Sequence, residues 1–217
     1  MRWVARFLLV CARFLSVVIF PFIILLKGCV YLHLEYGLAT WIALTGSMLL
    51  TTLVLTIYAV GMCRFVLHRS ISQATRVVVG AAGLLVICYC GYTLLFFPET
   101  NVKKMESSSE FASLHPFLRL SLGTFLLLDS ELIVSDMSRT RAEYSTMGVP
   151  ANRRSLHYPQ SDGYVHAVDL RTIGRGEMRN IAIVTYFWVL GFNTLRHTGT
   201  ADHLHISLPI TDRPRVL

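Results

Sequence analysis

The sequence predicts two unlike parts in one chain. An all-α membrane anchor of about three helices over residues 1–97 is followed, after a polar linker at 98–110, by a mixed α+β domain over 111–217. Three observations predict this. Hydrophobic residues make up 53% of the 217 and charged residues 15%, where a soluble domain carries about 25% charged. Residues 1–97 hold seven Lys/Arg and a single acid, Glu35, whereas residues 98–217 hold thirteen Lys/Arg and twelve Asp/Glu. Long runs without any charge also fill the first part. Six of the seven net positive charges therefore belong to the apolar part. Basic residues that punctuate apolar runs mark a membrane protein. A nucleic-acid binder would interleave them with aromatics on a polar fold, so no nucleic-acid partner is expected.

The first span is expected at 14–32. It holds thirteen uncharged residues between Arg13 and Lys27, and Lys27 near its end can snorkel to the interface. The alternative, a signal peptide, would need a small-residue cleavage site and then a polar mature region, and neither is evident. The second and third spans are expected at 37–63 and 77–97, both uncharged and long enough to cross a bilayer. Arg2, Arg6 and Arg13 precede the first span, and Arg64, Arg69 and Arg76 separate the second from the third. By the positive-inside rule these segments are cytoplasmic, and three crossings put residues 98–217 outside. Trp3, Trp41, Tyr31, Tyr36, Tyr92, Phe96 and Phe97 lie near the expected boundaries, where interfacial aromatics belong. No carboxylate lies within the spans, so an anchor is expected rather than a channel or carrier. All five cysteines lie in the anchor. Cys88 and Cys90 are two apart on a helix and cannot face one another, so they read as packing thiols.

In the outer part, Leu114, Phe117, Leu118, Leu122 and Phe125 form one stripe of a helix within 111–128. Leu132–Val134 reads as the start of a strand. Arg139–Met147 reads as a helix stopped by Gly148-Val149-Pro150, and 151–166 as a loop. Val165–Leu170 reads as a strand. Ile181–Leu190 fits helix or strand, and its length favours helix. His203–Leu208 alternates and reads as a strand ended by Pro209.

Six of the eight histidines fall in this outer part: His115, His157, His166, His197, His203 and His205. In Asp202-His203-Leu204-His205, a strand puts both imidazoles on one face. A third ligand from His166–Asp169 or Ser155–His157 would complete a catalytic Zn²⁺ set with one open position. Such an ion supplies amide hydrolysis without a Ser or Cys nucleophile, and the outer part has no cysteine. Asp202 reads as a turn residue or as a hydrogen-bond partner of His203. Asp162, beside Gly163, reads as a turn residue, and His115, before Pro116, as a helix start.

Ile133-Val-Ser-Asp-Met-Ser-Arg139, Ser155-Leu-His157, Ala167-Val-Asp169-Leu170 and His203-Leu-His205-Ile206 follow in an order that resembles the M15 peptidase pattern. That family is one of the LAS group of zinc peptidases. The resemblance covers about 75 residues and implies a small antiparallel sheet with flanking helices. It implies zinc held by His157, Asp169 and His205, a catalytic role for His203 and a substrate or transition-state role for Arg139. It also implies a peptidoglycan stem peptide as substrate, and hence a bacterial cytoplasmic membrane with the domain on its outer side. The sequence departs from the pattern in one place: His157 and Asp169 are twelve positions apart, more than the family usually shows. His166 is therefore a rival ligand, although three positions from Asp169 puts it on the opposite strand face. Arg141 rivals Arg139. The alternative function is a non-catalytic membrane protein that binds metal or cell-wall peptide.

Overall fold

The computed structural model describes residues 2–65, 74–102, 107–139, 152, 154–199 and 202–209. They form two compact units, Met1–Tyr89 and Cys90–Leu217, and the boundary lies inside the third helix.

The first unit is helical. α1 runs over Arg2–Tyr36, α2 over Thr40–Phe65, and α3 over Ala74–Leu95. Each contains a stretch long and apolar enough to cross a membrane: Leu15–Tyr36, Thr40–Arg64 and Thr75–Leu95. Pro21 sits inside α1 without ending it. The helix stops where the His33 Nδ1–H donates to the Leu38 carbonyl at 2.6 Å and Gly37 takes φ +63°. α1 and α2 approach at small residues: a Cβ on Gly28 would lie 2.8 Å from Ser47 Oγ. Thr45, Thr51, Thr52 and Thr56 each donate to the carbonyl four residues back, so their hydroxyls need no water. Leu49, Leu53, Leu84, Leu85 and Ile87 are exposed. Such a surface suits lipid rather than water, and the chain is a membrane protein.

The second unit starts with the last turn of α3. A Cβ on Gly123 would lie 2.8 Å from the Thr93 carbonyl oxygen, so the glycine lets α5 (Pro116–Leu128) press on that turn. The Arg119 guanidinium adds a hydrogen bond to the Leu94 carbonyl. The stretch expected as a linker is partly built into this unit. Glu99–Asn101 form a 3-10 turn, and buried Asn101 donates to the Ser130 and Leu132 carbonyls at 2.6 and 2.7 Å. Phe97 stacks on Phe111 of α4 (Ser107–Ser113).

Four antiparallel strands follow in the order β1-β2-β4-β3: β1 Val134–Asp136, β2 Ala167–Arg171, β3 Asn193–His197 and β4 His203–Ser207. The segment left open between helix and strand is a helix, α6, over Glu177–Leu190. It ends at Gly191 in the left-handed conformation (φ +99°). Tyr186 donates to the Ser121 carbonyl, and Phe125 packs with Tyr186 and Phe187, which joins α6 to α5. Leu204 and Ile206 of β4, Leu170 of β2, Ile183 and Phe187 are fully buried. The alternate positions of β4, His203 and His205, are only half-buried. One side of the sheet is thus core and the other is partly open. The helix expected at Arg139–Met147 falls largely on residues outside those described.

Candidate metal centre

The open face of the sheet is laid out in cross-strand rows, because opposed residues of an antiparallel ladder share a face. Asp169, His205 and Leu195 form one row across β2, β4 and β3; Arg171, His203 and His197 form the next. His157 arrives from outside the sheet. In the Ser-x-His turn Ser155 Oγ accepts the His157 N–H at 3.3 Å, and the His157 carbonyl accepts the Arg139 N–H at 3.0 Å. The neighbouring Leu156 carbonyl accepts the His166 N–H, so the turn is stitched on both sides.

Three ligand-type atoms converge here. His157 Nε2 lies 3.3 Å from His205 Nδ1 and 3.3 Å from Asp169 Oδ1, and His205 Nδ1 lies 2.8 Å from Asp169 Oδ1. Atoms about 2.0–2.1 Å from one tetrahedral zinc lie about 3.3 Å apart. Two of the three edges match that figure, and the third is the length of a direct hydrogen bond. The tautomers fit as well. His157 Nδ1 faces the Met137 carbonyl at 2.9 Å. A carbonyl only accepts, so the proton is on Nδ1 and Nε2 presents its lone pair. His205 Nδ1–H then donates into the triangle. One proton, carried by His205 Nδ1, lies between that nitrogen and two acceptors, and a cation can replace it.

Asp169 is 4% exposed and divides its two oxygens. Oδ1 faces the imidazoles. Oδ2 takes Arg139 Nη2 at 2.6 Å and stands 3.8 Å from His203 Nε2. Burial alone would raise the Asp169 carboxyl. The hydrogen-bonding and electrostatic pull of the His157 and His205 rings outweighs it and holds the group far below the ordinary carboxylate range. Asp169 therefore stays ionised, as a metal ligand must.

A second cluster joins His115, His166 and Asp162. His166 Nε2 is 3.0 and 3.1 Å from the two Asp162 oxygens, and His115 Nε2 is 3.7 Å from Oδ2. Here the tautomers are wrong for a metal. His115 Nδ1 accepts the Phe117 N–H at the start of α5, so the proton is on Nε2. His166 Nε2 faces a carboxylate and also carries its proton. Two protons and a helix cap would have to be given up. The cluster is a clamp, and it explains the long spacing from His157 to Asp169. Gly163 (φ +87°) closes a tight turn, Pro159 pairs with Val165, and Asp162 ties the turn to two fully buried histidines. The additional residues loop out and return, leaving His157 and Asp169 together.

The residues singled out from the sequence are therefore placed as follows. His157, Asp169 and His205 meet. His203 stands beside them, 28% exposed, stacked on His197 with ring centroids 4.8 Å apart. Arg139 reaches the centre but binds Asp136 at 2.5 Å and Asp169, so it holds the carboxylate in place. His166, the rival ligand, lies in the second cluster with Asp162 and His115 and not in the triangle: three positions from Asp169 puts it on the other face. Asp202 accepts from Thr172 at 2.6 Å and from Arg196 at 3.1 and 3.2 Å, which closes the β3–β4 connection. Arg141 lies outside the described residues. His197, weighed from the sequence as a cleft residue or a surface one, stands against His203. Sequence reasoning missed the Asp162 clamp and the placement of Arg171 and Leu195 beside the centre. The strand parity around Asp169 was the signal that could have found Arg171. No protein-family model, curated protein or solved structure matches the chain.

The clamp gives a pH-dependent prediction. Burial would raise the Asp162 carboxyl, but bonds to His166 and the Tyr164 N–H, with the charge of both imidazoles, hold it below the usual range. A carboxyl depressed in the folded state stabilises above its unfolded pKa of about 3.9, and that contribution fades as pH falls through the lower folded value. Asp162→Asn should lower the melting temperature at pH 7 and reduce the further loss seen below about pH 4. Thermal unfolding of the purified full-length protein across that range checks this. Equal acid sensitivity in variant and wild type would count against the clamp.

Proposed function

We propose that residues 98–217 form a zinc-dependent hydrolase of amide bonds in peptidoglycan stem peptides, anchored by the three helices. The single observation that carries this reading is the triangle of His157 Nε2, Asp169 Oδ1 and His205 Nδ1, close to the edge lengths of a tetrahedral site. The stretch from Ile133 to Leu208 resembles M15 peptidases in the order of the same residues. Bound there, a divalent cation lowers the pKa of a coordinated water to about 7 and polarises a carbonyl.

The protein's own residues supply the rest. Arg139 fixes the outer oxygen of Asp169 and keeps the inner one aimed at the histidines. Met137 fixes the ring of His157. His203, half-exposed beside Asp169, takes a proton from the attacking water as the C–O bond forms and then returns it to the nitrogen, so that the C–N bond breaks and the amine leaves. The basic residues before the first span and between the second and third favour a cytoplasmic N-terminus, with this domain on the outer side of a bacterial cytoplasmic membrane.

The test is metal analysis of the purified full-length protein together with product mapping on isolated peptidoglycan fragments. One zinc per chain is expected, with cleavage lost on chelation and restored by zinc. His203→Ala should keep the metal and lose about 10²- to 10⁴-fold in turnover. Metal and peptide binding without any product would favour a non-catalytic binding protein instead.

A further inference from the structure

α6 is apolar on both of its sides. Asn180, Ile183, Phe187 and Leu190 form its buried side. Met178, Ile181, Thr185 and Trp188, three or four positions apart, form an exposed stripe on the other. Met178 is 79% exposed and Trp188 is 68% exposed. The charges of this helix sit at its start, where Glu177 pairs with Arg196 and Arg179 with Glu131. Residues 180–195 carry none. A helix on the surface of a water-soluble domain turns a polar face outward, and one that is apolar all round is enclosed by protein or by lipid.

Here the fold favours lipid. The compact unit that holds α6 also holds the last turn of α3, a helix long and apolar enough to cross a membrane. Gly123 of α5 touches that turn at Thr93. The Tyr186 hydroxyl of α6 donates to the Ser121 carbonyl, two residues before Gly123, at 2.9 Å. So α6 stands one side chain away from the helix against which the span ends. The other large apolar side chains that this unit exposes gather on the same helices: Tyr92 and Leu95 on α3, Phe96 just after it, Leu127 and Leu128 on α5. Ile173 and Leu195 are the exceptions among the described residues.

We propose that the exposed stripe of α6 lies lengthwise in the head-group layer of the membrane that α3 crosses, a fourth contact with lipid beside the three spans. The lipid-facing surface of α3 continues through Leu95 and Phe96 into this unit, and the stripe extends it. An uncharged stripe enters the boundary between head groups and acyl chains by its apolar area and needs no anionic lipid. Trp188 is the residue type that settles at that depth, with its ring among the chains and its N–H toward water. The buried side of α6 shares the core with one side of the sheet, so the histidines on the other side stay clear of the lipid. This contact needs neither metal nor hydrolysis.

The test uses the full-length protein with Trp3→Phe and Trp41→Phe, which leaves Trp188 as the one tryptophan, in phosphatidylcholine vesicles. Lipid brominated near the head-group end of its chains should quench Trp188 about 2-fold or more beyond lipid brominated near the chain end, as a ring about 5–10 Å into the boundary requires. Iodide should lose most of the quenching it gives on the same protein unfolded in guanidinium. Raising the ionic strength should change neither, because the stripe has no charge to screen. Ile181→Glu, on the same face, should at least halve the bromine quenching and restore iodide quenching, with the circular dichroism of the parent. Trp188 open to iodide and untouched by brominated lipid overturns the proposal. Protection from iodide without bromine quenching, lost as the lipid-to-protein ratio rises, gives the face to a second copy of the chain and overturns it too. Bromine quenching undiminished in Ile181→Glu would show that the stripe does not make the contact.

Discussion

Asp169→Ala should empty the centre of metal, abolish hydrolysis and cost about 3 kcal/mol of stability. Three groups depend on this carboxylate. His157 Nε2 and His205 Nδ1 meet across Oδ1, and Arg139 is held on Oδ2. Among the described residues, removing the acid leaves Asp136 as the carboxylate on Arg139 and none against the two imidazoles. The cost sits at the low end for a broken buried pair because Arg139 is 21% exposed and can turn to water. Asp169→Asn separates the two roles. It keeps the shape and one acceptor, so most stability should remain while metal affinity falls sharply, since the amide brings no charge. Denaturation of both variants beside zinc content measures the difference. A wild-type zinc content in Asp169→Ala would show that the centre lies elsewhere.

Gly123→Val should be the most damaging change away from the centre. The Cβ position is already 2.8 Å from the Thr93 carbonyl oxygen and 3.1 Å from its Cβ. The nearest obstacle is backbone, which cannot rotate aside as a side chain would. α5 must lift off the last turn of α3 or the strain must be stored, at about 3 kcal/mol. Lifting α5 also loosens the Arg119 bond to Leu94 and the Tyr186 bond to Ser121. Thermal unfolding in detergent should show a lower melting temperature, and Gly123→Ala should fall between the two. A melting temperature unchanged in Gly123→Val would mean the contact is not close.

The parts of the centre legible from sequence were those governed by short-range geometry. A strand alternates faces every residue, so His203 and His205 had to share a side, and His166 had to leave the side of Asp169. A Ser-x-His turn is local, so His157 was visible. What could not be read depended on distant partners. The clamp that absorbs the long spacing joins Asp162 to His115, at the start of a helix far upstream. β3 was hidden because Asn193–His197 has one large apolar residue, Leu195, and that one is exposed. It has no buried side to announce it. Residues 98–110 looked like a tether because they are polar, yet Asn101 spends its amide on two backbone carbonyls inside the fold. Composition reports solubility, and it does not reveal which polar group has found a partner. The three apolar helices were plain because length and absence of charge suffice to define them.

The grip of α5 on the end of α3 ties the fate of the sheet to that of a helix terminus. Cys90–Leu95 belong to the same compact unit as the histidines, and Gly123 rests on Thr93 among them. A fragment that begins at residue 98 loses that seat, so it should melt below one that begins at residue 90.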